Sequence, residues 1–242
     1  MQLILLEGAH GTGKSTLGKA LIKKLESTGK VVSLYDEYDR SNPIDTWAID
    51  MMRKGLFEQR AYLSGENAFQ QHLDNPTVDT SGQWMALSEQ LVEAPERVVV
   101  FVGKFWQNCM MPWFFHDVPI TQILTHHQKL CASVMATKPL LIFLSCSDTT
   151  EAHMPLTNRG GLLSSMLIGL YGSSFWSRKH MPVGTIEEKG KYYLQKWQEV
   201  LNQLYRDIPF SRLEYCDVWK RWSDDGRLQD KILSEIIALM QA

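Results

Sequence analysis

The sequence predicts one three-layer α/β/α domain that spans residues 1–242. Short, wholly apolar runs of strand length alternate with longer segments in which apolar residues recur at helical spacing. Parallel strands that are covered on both faces are continuously apolar, and right-handed crossovers connect them. The 242 residues are 44% hydrophobic, which fits one compact core better than two small ones.

Five strands and the helices between them follow in chain order. Strands are predicted at residues 1–6, 31–35, 97–102, 140–144 and 212–218. Helices are predicted at residues 14–28, 44–56, 104–115, 120–135, near 162–171, from 185 onwards, and at 228–239. The pattern is weakest in residues 57–95, where Asp74-Asn75-Pro76 and Ser81-Gly82 are expected to be loops.

Two of these helices carry clear end signals. In residues 14–28 leucine recurs at every fourth position, and Gly29 is placed to end that helix. Thr185 with Glu188 forms a capping box at the start of a later helix, ahead of a buried apolar stripe.

An irregular, Gly-rich segment is expected at residues 148–184, with the helix near 162–171 inside it. The segment contains Arg159, Arg178 and Lys179. Its composition predicts a mobile, lid-like part of the single domain.

The charge balance and the hydropathy pattern limit the partners. The 25 Lys+Arg and 27 Asp+Glu residues leave a net charge of −2, which argues against polynucleotide binding. No apolar run approaches the roughly 20 residues that cross a bilayer, and the first residues lack signal-peptide features. The four cysteines make no CxxC pair and are expected to be buried free thiols. A cytoplasmic protein without a membrane partner is therefore expected.

Residues 8–15, with the sequence GAHGTGKS, fill the phosphate-loop pattern G-x-x-x-x-G-K-S/T between a strand and a helix. Glycines let the backbone approach a phosphate closely, and the helix start directs partial positive charge at the anion. Lys14 is expected to reach the β- and γ-phosphates, and the Ser15 hydroxyl to complete a magnesium shell. The predicted nucleotide-binding residues are Gly8, His10, Gly11, Thr12, Gly13, Lys14, Ser15 and Thr16.

The chain lacks the signature motifs of two other classes of phosphate-loop protein. A GTPase carries an Asn/Thr-Lys-x-Asp motif, and the segment Thr137-Lys138-Pro139-Leu140 has no Asp at its last position. Mechanical ATPases end a strand in an acid, whereas the third strand here ends Phe101-Val102-Gly103-Lys104.

The chain resembles the nucleoside and nucleotide kinase group of P-loop proteins, including bacterial kinase-like proteins of undefined substrate. The phosphate loop carries the resemblance, together with residues 34–45 and 101–108. The resemblance implies a sheet order of 2-3-1-4-5, ATP with Mg²⁺ as cofactors, and transfer of the γ-phosphoryl group to a small acceptor.

The resemblance also implies roles for acidic and basic residues. In deoxynucleoside kinases a Glu just after the second strand acts as base, and Glu37 occupies the matching position with Asp36 and Asp39 as competitors. A solvated acidic turn is the alternative. Related kinases place an acid at the end of the third strand, where this chain has Val102. Either Asp36 or Glu37 compensates at the metal, or turnover is slow, or the protein binds a nucleotide without transferring phosphate. Lys104 takes the place of the phosphate-contacting Arg that follows.

Two further groups are candidates with open alternatives. Arg159, Arg178 and Lys179 lie where kinases of this group carry lid arginines, although plain surface charge is the alternative. Trp106 could stack on an acceptor ring and the Gln107 amide could read its edge, although core and helix packing is the favoured explanation of the aromatic residue.

These residues are compatible with three functions. The first is an ATP-dependent phosphotransferase that acts on a nucleoside, a nucleotide or another hydroxylated metabolite. The second is a nucleotide-binding module with little catalysis, for which Val102 is the main argument. The third is an ATPase switch that acts on a protein partner. The oligomeric state is open, and Trp- and Met-rich helices leave room for a homodimer.

Overall fold

The computed structural model describes residues 1–36, 39, 41–44, 78–158, 162–221 and 226–241. Its strands are β1 (Leu3–Gly8), β2 (Val31–Tyr35), β3 (Arg97–Val102), β4 (Leu140–Ser145) and β5 (Ser211–Cys216). Its α-helices, within those ranges, are α1 (Lys14–Glu26), α2 (Ser81–Glu93), α3 (Met111–Phe115), α4 (Ile120–Val134), α5 (Thr149–Asn158), α6 (Leu162–Gly172), α7 (Phe175–His180), α8 (Ile186–Arg206) and α9 (Gly226–Gln241).

The five strands form one parallel sheet in the order β2-β3-β1-β4-β5, which confirms the predicted architecture. The central strands β1, β3 and β4 are almost entirely buried because helices cover both faces. One face packs against α1 and α9, and the other packs against α2, α3, α4 and α8. All carboxyl ends of the strands meet at one sheet edge, where ligands of open α/β sheets bind.

Three local predictions are corrected. Ser81 and Gly82 begin helix α2 instead of forming a loop, because the Asp79 carboxylate accepts a hydrogen bond from the Ser81 amide at 2.9 Å and Trp84 anchors the helix in the core. The helix predicted at 104–115 is divided into a π-helical turn, Lys104–Asn108, and α3, which has a proline in its first turn. Segment 148–184 contains α5 and α7 in addition to the expected α6.

The predicted capping box is confirmed, and the prediction of buried free cysteines is confirmed for three of the four. The capping box of α8 is present, with the Thr185 hydroxyl accepting from the Glu188 amide at 3.2 Å and the Thr185 amide donating to the Glu188 carboxylate at 2.7 Å. The four cysteines are free thiols, although Cys216 is exposed at the end of edge strand β5. Within the ranges described above, no helix has the length and apolar character that a bilayer crossing needs. The residues Asp74-Asn75-Pro76 lie outside those ranges.

Candidate functional site

The phosphate loop joins the end of β1 to the start of α1 at the carboxyl edge of the sheet. Gly11 has a φ of 84°, and a Cβ added there would lie 1.8 Å from the carbonyl oxygen of Ala152 in α5. Only glycine fits this backbone conformation and this close contact. Helix α5, the first helix of the predicted lid segment, therefore packs directly against the phosphate loop at Gly11.

Lys14 lies on the inner side of the loop and is 6% exposed. Its ammonium group donates to the carbonyl oxygens of Gly8 and Ala9, both at 2.9 Å. Thr12 is buried, and its hydroxyl donates to the Ala9 carbonyl at 2.9 Å, so this side chain stabilises the loop from within. The ammonium group of Lys14 therefore lies beside the loop amides and the start of α1, which also favour a bound anion.

Gly13 directly precedes α1, and its carbonyl accepts the first helical hydrogen bond, from the Leu17 amide at 3.0 Å. Ser15 and Thr16 follow in the first turn of α1, and both are exposed. In the part of the chain that the structure describes, no group of three or more His, Cys, Asp or Glu residues could hold a metal ion. An exposed hydroxyl beside a phosphate site fits magnesium, which binds proteins through few ligands and keeps phosphate and water oxygens.

His10 projects from the phosphate loop toward the turn after β3 and toward α6. Its Nε2 lies 2.8 Å from the amide nitrogen of Gln107 and 3.3 Å from the Tyr171 hydroxyl. Burial, with smaller contributions from Lys14 and His153, holds the pKa of His10 well below its ordinary value, so the imidazole is neutral. Because the Gln107 amide donates to Nε2, the ring proton lies on Nδ1.

His10 and Gln107 each keep one buried polar atom without a hydrogen-bond partner among the described residues. These atoms are Nδ1 of His10, a donor, and Oε1 of Gln107, an acceptor. Other buried atoms of the described residues are also unpaired, for example Nε1 of Trp84 and Trp106 in the core, but these two atoms belong to adjacent side chains beside the phosphate loop, where one polar ligand could pair with both.

Glu7 is a site residue that the sequence analysis missed. It is the last side chain of β1 before the phosphate loop and is fully buried. Its carboxylate accepts hydrogen bonds from the backbone amides of Phe105 at 2.7 Å and Gln107 at 3.4 Å. The available signal was an acid at the end of a strand whose other positions are apolar, since such a position seldom carries a charge without a partner.

The end of β3 has no carboxylate, as the sequence predicted. Val102 is fully buried on the α1 face of the sheet, where a Cβ added to Gly18 would lie 3.0 Å from its Cγ2 atom. Lys104 begins the π-helical turn and is also fully buried. Trp106 lies in the core, with its ring 5.6 Å from that of Phe143.

The predicted acidic cluster follows β2. Asp36 is exposed directly after the strand. The Asp39 carboxylate accepts hydrogen bonds from the Ser41 amide at 2.9 Å and the Ser41 hydroxyl at 2.7 Å, and these bonds lower its pKa. Glu37 lies outside the described residues.

Two of the predicted lid residues contact groups outside the phosphate loop. Arg178 donates from Nε to the Ser173 carbonyl at 2.9 Å, and Lys179 forms an ion pair with Asp117. Neither contact brings a charge to the phosphate loop. Arg159 lies outside the described residues.

The environment of Glu7 predicts a pH dependence of stability. Burial raises the pKa of its carboxyl to about 7, while the Lys14 charge and the amides of the turn oppose that rise. An acid whose pKa is raised on folding stabilises the folded state below its unfolded pKa, and this contribution is lost as the pH rises through the folded pKa. The window therefore runs from about pH 4.5 to about pH 7.

Glu7→Gln removes this titration. The free energy of unfolding of the variant minus that of the wild type is expected to rise by about 3 kcal/mol between pH 5 and pH 8. Urea unfolding of both proteins at the two pH values measures the difference. The same difference at both values would contradict the raised pKa.

No protein-family model and no curated protein matches the chain. Among solved structures, the chain is similar to YorR protein from Bacillus subtilis in complex with phosphorylated GDP, at 14% identity and a TM-score of 0.48, over 99% of this chain and 96% of the other. It is also similar to shikimate kinase from Acinetobacter baumannii in complex with shikimate, at 17% identity and a TM-score of 0.42, over 100% and 93% of the two chains.

A third similar structure is deoxyadenosine kinase from M. mycoides with bound dATP, at 16% identity and a TM-score of 0.44, over 100% of both chains. All of these similarities are distant, so the fold is assigned from the chain's own features. A parallel sheet in the order 2-3-1-4-5 with a glycine-rich phosphate loop after β1 gives this protein a P-loop kinase-like fold.

Proposed function

We propose that this protein transfers the γ-phosphoryl group of ATP to a hydroxyl group of a small acceptor, with a nucleoside or nucleotide as the acceptor class. One observation carries the proposal. The phosphate loop holds the buried ammonium of Lys14 on its inner side, while His10 of the same loop joins Gln107 in a buried polar pair with two unpartnered atoms. A donor site and an acceptor site would thus share one loop.

The donor side fits ATP with magnesium. The loop amides and the start of α1 would receive the phosphates, and Lys14 would stabilise the charge that develops during transfer. The exposed hydroxyl of Ser15 would hold the metal together with the phosphate oxygens, and Asp36 is the proposed additional carboxylate. Bound magnesium supplies charge neutralisation between the phosphates.

On the acceptor side, the Nδ1 proton of His10 and the Oε1 atom of Gln107 offer one donor and one acceptor. The edge of a nucleobase presents the complementary pair. A carboxylate after β2 would orient the acceptor hydroxyl, and Glu37 stays the proposed base with Asp36 and Asp39 beside it. Because β2 lies two strands from β1, these carboxylates would act roughly 10 Å from the loop.

Basic residues complete the proposed machinery. Lys104 is buried at the start of the turn after β3 and would contact a phosphate of the acceptor or donor. Arg178 and Lys179 would reach the migrating group only after α7 leaves its contacts with Ser173 and Asp117. Arg159 is proposed for the same role.

A second function is favoured by a specific observation. Val102 is packed in the core at the position where related kinases have an acid. A protein with this loop and no such acid could bind a nucleotide and transfer little phosphate. It would then be a nucleotide-binding module.

ADP release from magnesium-ATP separates the two functions. The panel contains nucleosides, nucleoside monophosphates and hydroxylated metabolites, and the Lys14→Ala variant is the blank. Acceptor-dependent ADP that disappears in the variant is expected for the phosphotransferase. Tight ATP binding with no ADP release for any acceptor would favour the binding module.

Gln107→Leu tests the acceptor side. The substitution keeps the size of the side chain but removes the amide that contacts His10 and the unpartnered oxygen. We expect the KM for the acceptor to rise about 10- to 100-fold, since a lost buried hydrogen bond costs about 1–3 kcal/mol. The Kd for ATP is expected to change little.

The matched control is Gln90→Leu, on the exposed surface of α2, which should leave both constants unchanged. An unchanged acceptor KM in Gln107→Leu would remove Gln107 from the acceptor site.

A further inference from the structure

Glu7 connects the phosphate loop to the segment that follows β3. Along β1 it shares a sheet face with Leu3 and Leu5, which belong to the larger apolar core. Its own side chain is fully buried. A carboxyl group in such a position is costly unless hydrogen bonds compensate for the lost water.

The compensating donors come from a single turn. The chain leaves β3 at Gly103, which has a φ of 62°, and then enters the π-helical turn Lys104–Asn108. The amide of Phe105 donates to one oxygen of Glu7 at 2.7 Å, and the amide of Gln107 donates to the other at 3.4 Å. The amides at the start of a helical turn have no partner within the turn, so the Glu7 carboxyl takes the place of that partner.

The turn that Glu7 holds carries two side chains of the proposed acceptor site. Lys104 stands at its start, and Gln107 reaches from it to His10 of the phosphate loop at 2.8 Å. The turn is therefore attached at two points, to the end of β1 through the Glu7 carboxyl and to the phosphate loop through the His10 imidazole.

We propose that Glu7 is a positioning residue, which fixes the Lys104–Asn108 turn to the phosphate loop and thereby sets the distance between the acceptor and the phosphoryl donor. Its effect on turnover rests on the proposed function, whereas its effect on the turn does not. Both carboxyl oxygens face backbone amides, and the side chain is sealed from solvent, so Glu7 acts through the turn and not by contact with the substrate.

Hydrogen exchange of the nucleotide-free protein tests the contact directly. In Glu7→Ala the amides of the peptide covering residues 103–109 are expected to exchange about ten-fold faster or more, because their hydrogen bonds to the buried Glu7 carboxyl are lost. Glu7→Gln keeps one side-chain carbonyl oxygen as an acceptor but places its side-chain NH2 group opposite a backbone N–H. The exchange rate of the peptide is therefore expected to increase by less than in Glu7→Ala.

Glu214→Ala and Glu214→Gln, on the exposed face of edge strand β5, are the matched controls. They should leave exchange in the 103–109 peptide unchanged. Unchanged exchange in both Glu7 variants would overturn the proposal. If Glu7→Ala does not fold, the comparison of Glu7→Gln with Glu214→Gln decides. Faster exchange of the 103–109 peptide in Glu7→Gln alone supports the proposal, and equal exchange in the two variants overturns it.

Kinetics test the consequence for turnover. In Glu7→Gln the KM for the acceptor is expected to rise about ten-fold, while the Kd for magnesium-ATP does not rise, because the variant disturbs the turn, leaves the glycine-rich loop in place and removes a negative charge that acts on Lys14. An equal loss in both constants would indicate a general disturbance of the phosphate loop and would overturn the positioning role.

The two proposals fail in different ways. If the wild-type protein transfers no phosphoryl group, the proposed function fails, and the exchange measurement alone decides whether Glu7 holds the turn. If the wild type is active and Glu7→Gln has wild-type constants, the positioning role fails and the phosphotransferase stands.

Discussion

Lys14→Ala is expected to lower phosphoryl transfer by at least about 10²- to 10³-fold, the loss that follows removal of one preorganised group facing transition-state charge. The ammonium group is buried on the inner side of the loop, 2.9 Å from the carbonyl oxygens of Gly8 and Ala9, so the loop fixes its charge beside the place where the phosphates would bind. Initial rates of ADP release at saturating acceptor measure the effect.

The control for this variant is Lys19→Ala, which removes the same charge from an exposed position of the same helix. It is expected to keep wild-type rates. The nucleotide-free Lys14→Ala protein should lose only a modest part of its stability, on the order of 1–3 kcal/mol, because two loop carbonyls lose a donor. Full activity of Lys14→Ala would contradict the role of Lys14, and global unfolding would make the residue structural.

Gly11→Ala is expected to have the largest effect on stability. The added Cβ would lie 1.8 Å from the Ala152 carbonyl oxygen, which belongs to the backbone of α5 and cannot move without displacing that helix. The left-handed φ adds about 1–2 kcal/mol and the overlap about 1–3 kcal/mol, so a total loss of about 2–5 kcal/mol is expected.

Gly29→Ala separates the two causes. Its φ of 79° is close to the 84° of Gly11, but a Cβ there would meet nothing within 4 Å. Urea unfolding of the nucleotide-free proteins should therefore give a loss of about 1–2 kcal/mol for Gly29→Ala, which reports the backbone strain alone. Equal losses for the two variants would contradict the contact between the phosphate loop and α5.

The sheet and the phosphate loop could be predicted because their signals are local. A wholly apolar run such as residues 3–6 predicts a buried parallel strand by itself. The loop spacing requires glycines at fixed positions, and the structure places Gly11 in a conformation that explains why. Local signals were weaker for helix α2, where Ser81-Gly82 resembles a loop although Asp79 stabilises a helix start there.

The contacts that build the acceptor side could not be predicted, since they join distant positions. Glu7 meets Phe105 across 98 positions of the chain, and His10 meets Tyr171 across 161. The acid after the apolar run at residues 3–6 indicates a buried carboxyl group that needs a partner, but it does not indicate which residues supply that partner. Lys179 stays a lid candidate from its position, and its ion pair with Asp117 depends on the packing of α7 beside α3, which the sequence does not indicate.

The fate of the γ-phosphoryl group tests the central claim most directly. The protein is incubated with magnesium and ATP labelled in the γ-phosphate, in the presence of the acceptor that gives the highest ADP release, and the labelled products are separated. We expect the label in a phosphate ester of the acceptor, in equal amount to the ADP formed, and no transfer with Lys14→Ala. Label found only in inorganic phosphate, or only in unreacted ATP that the protein still binds, would contradict the proposed phosphotransferase.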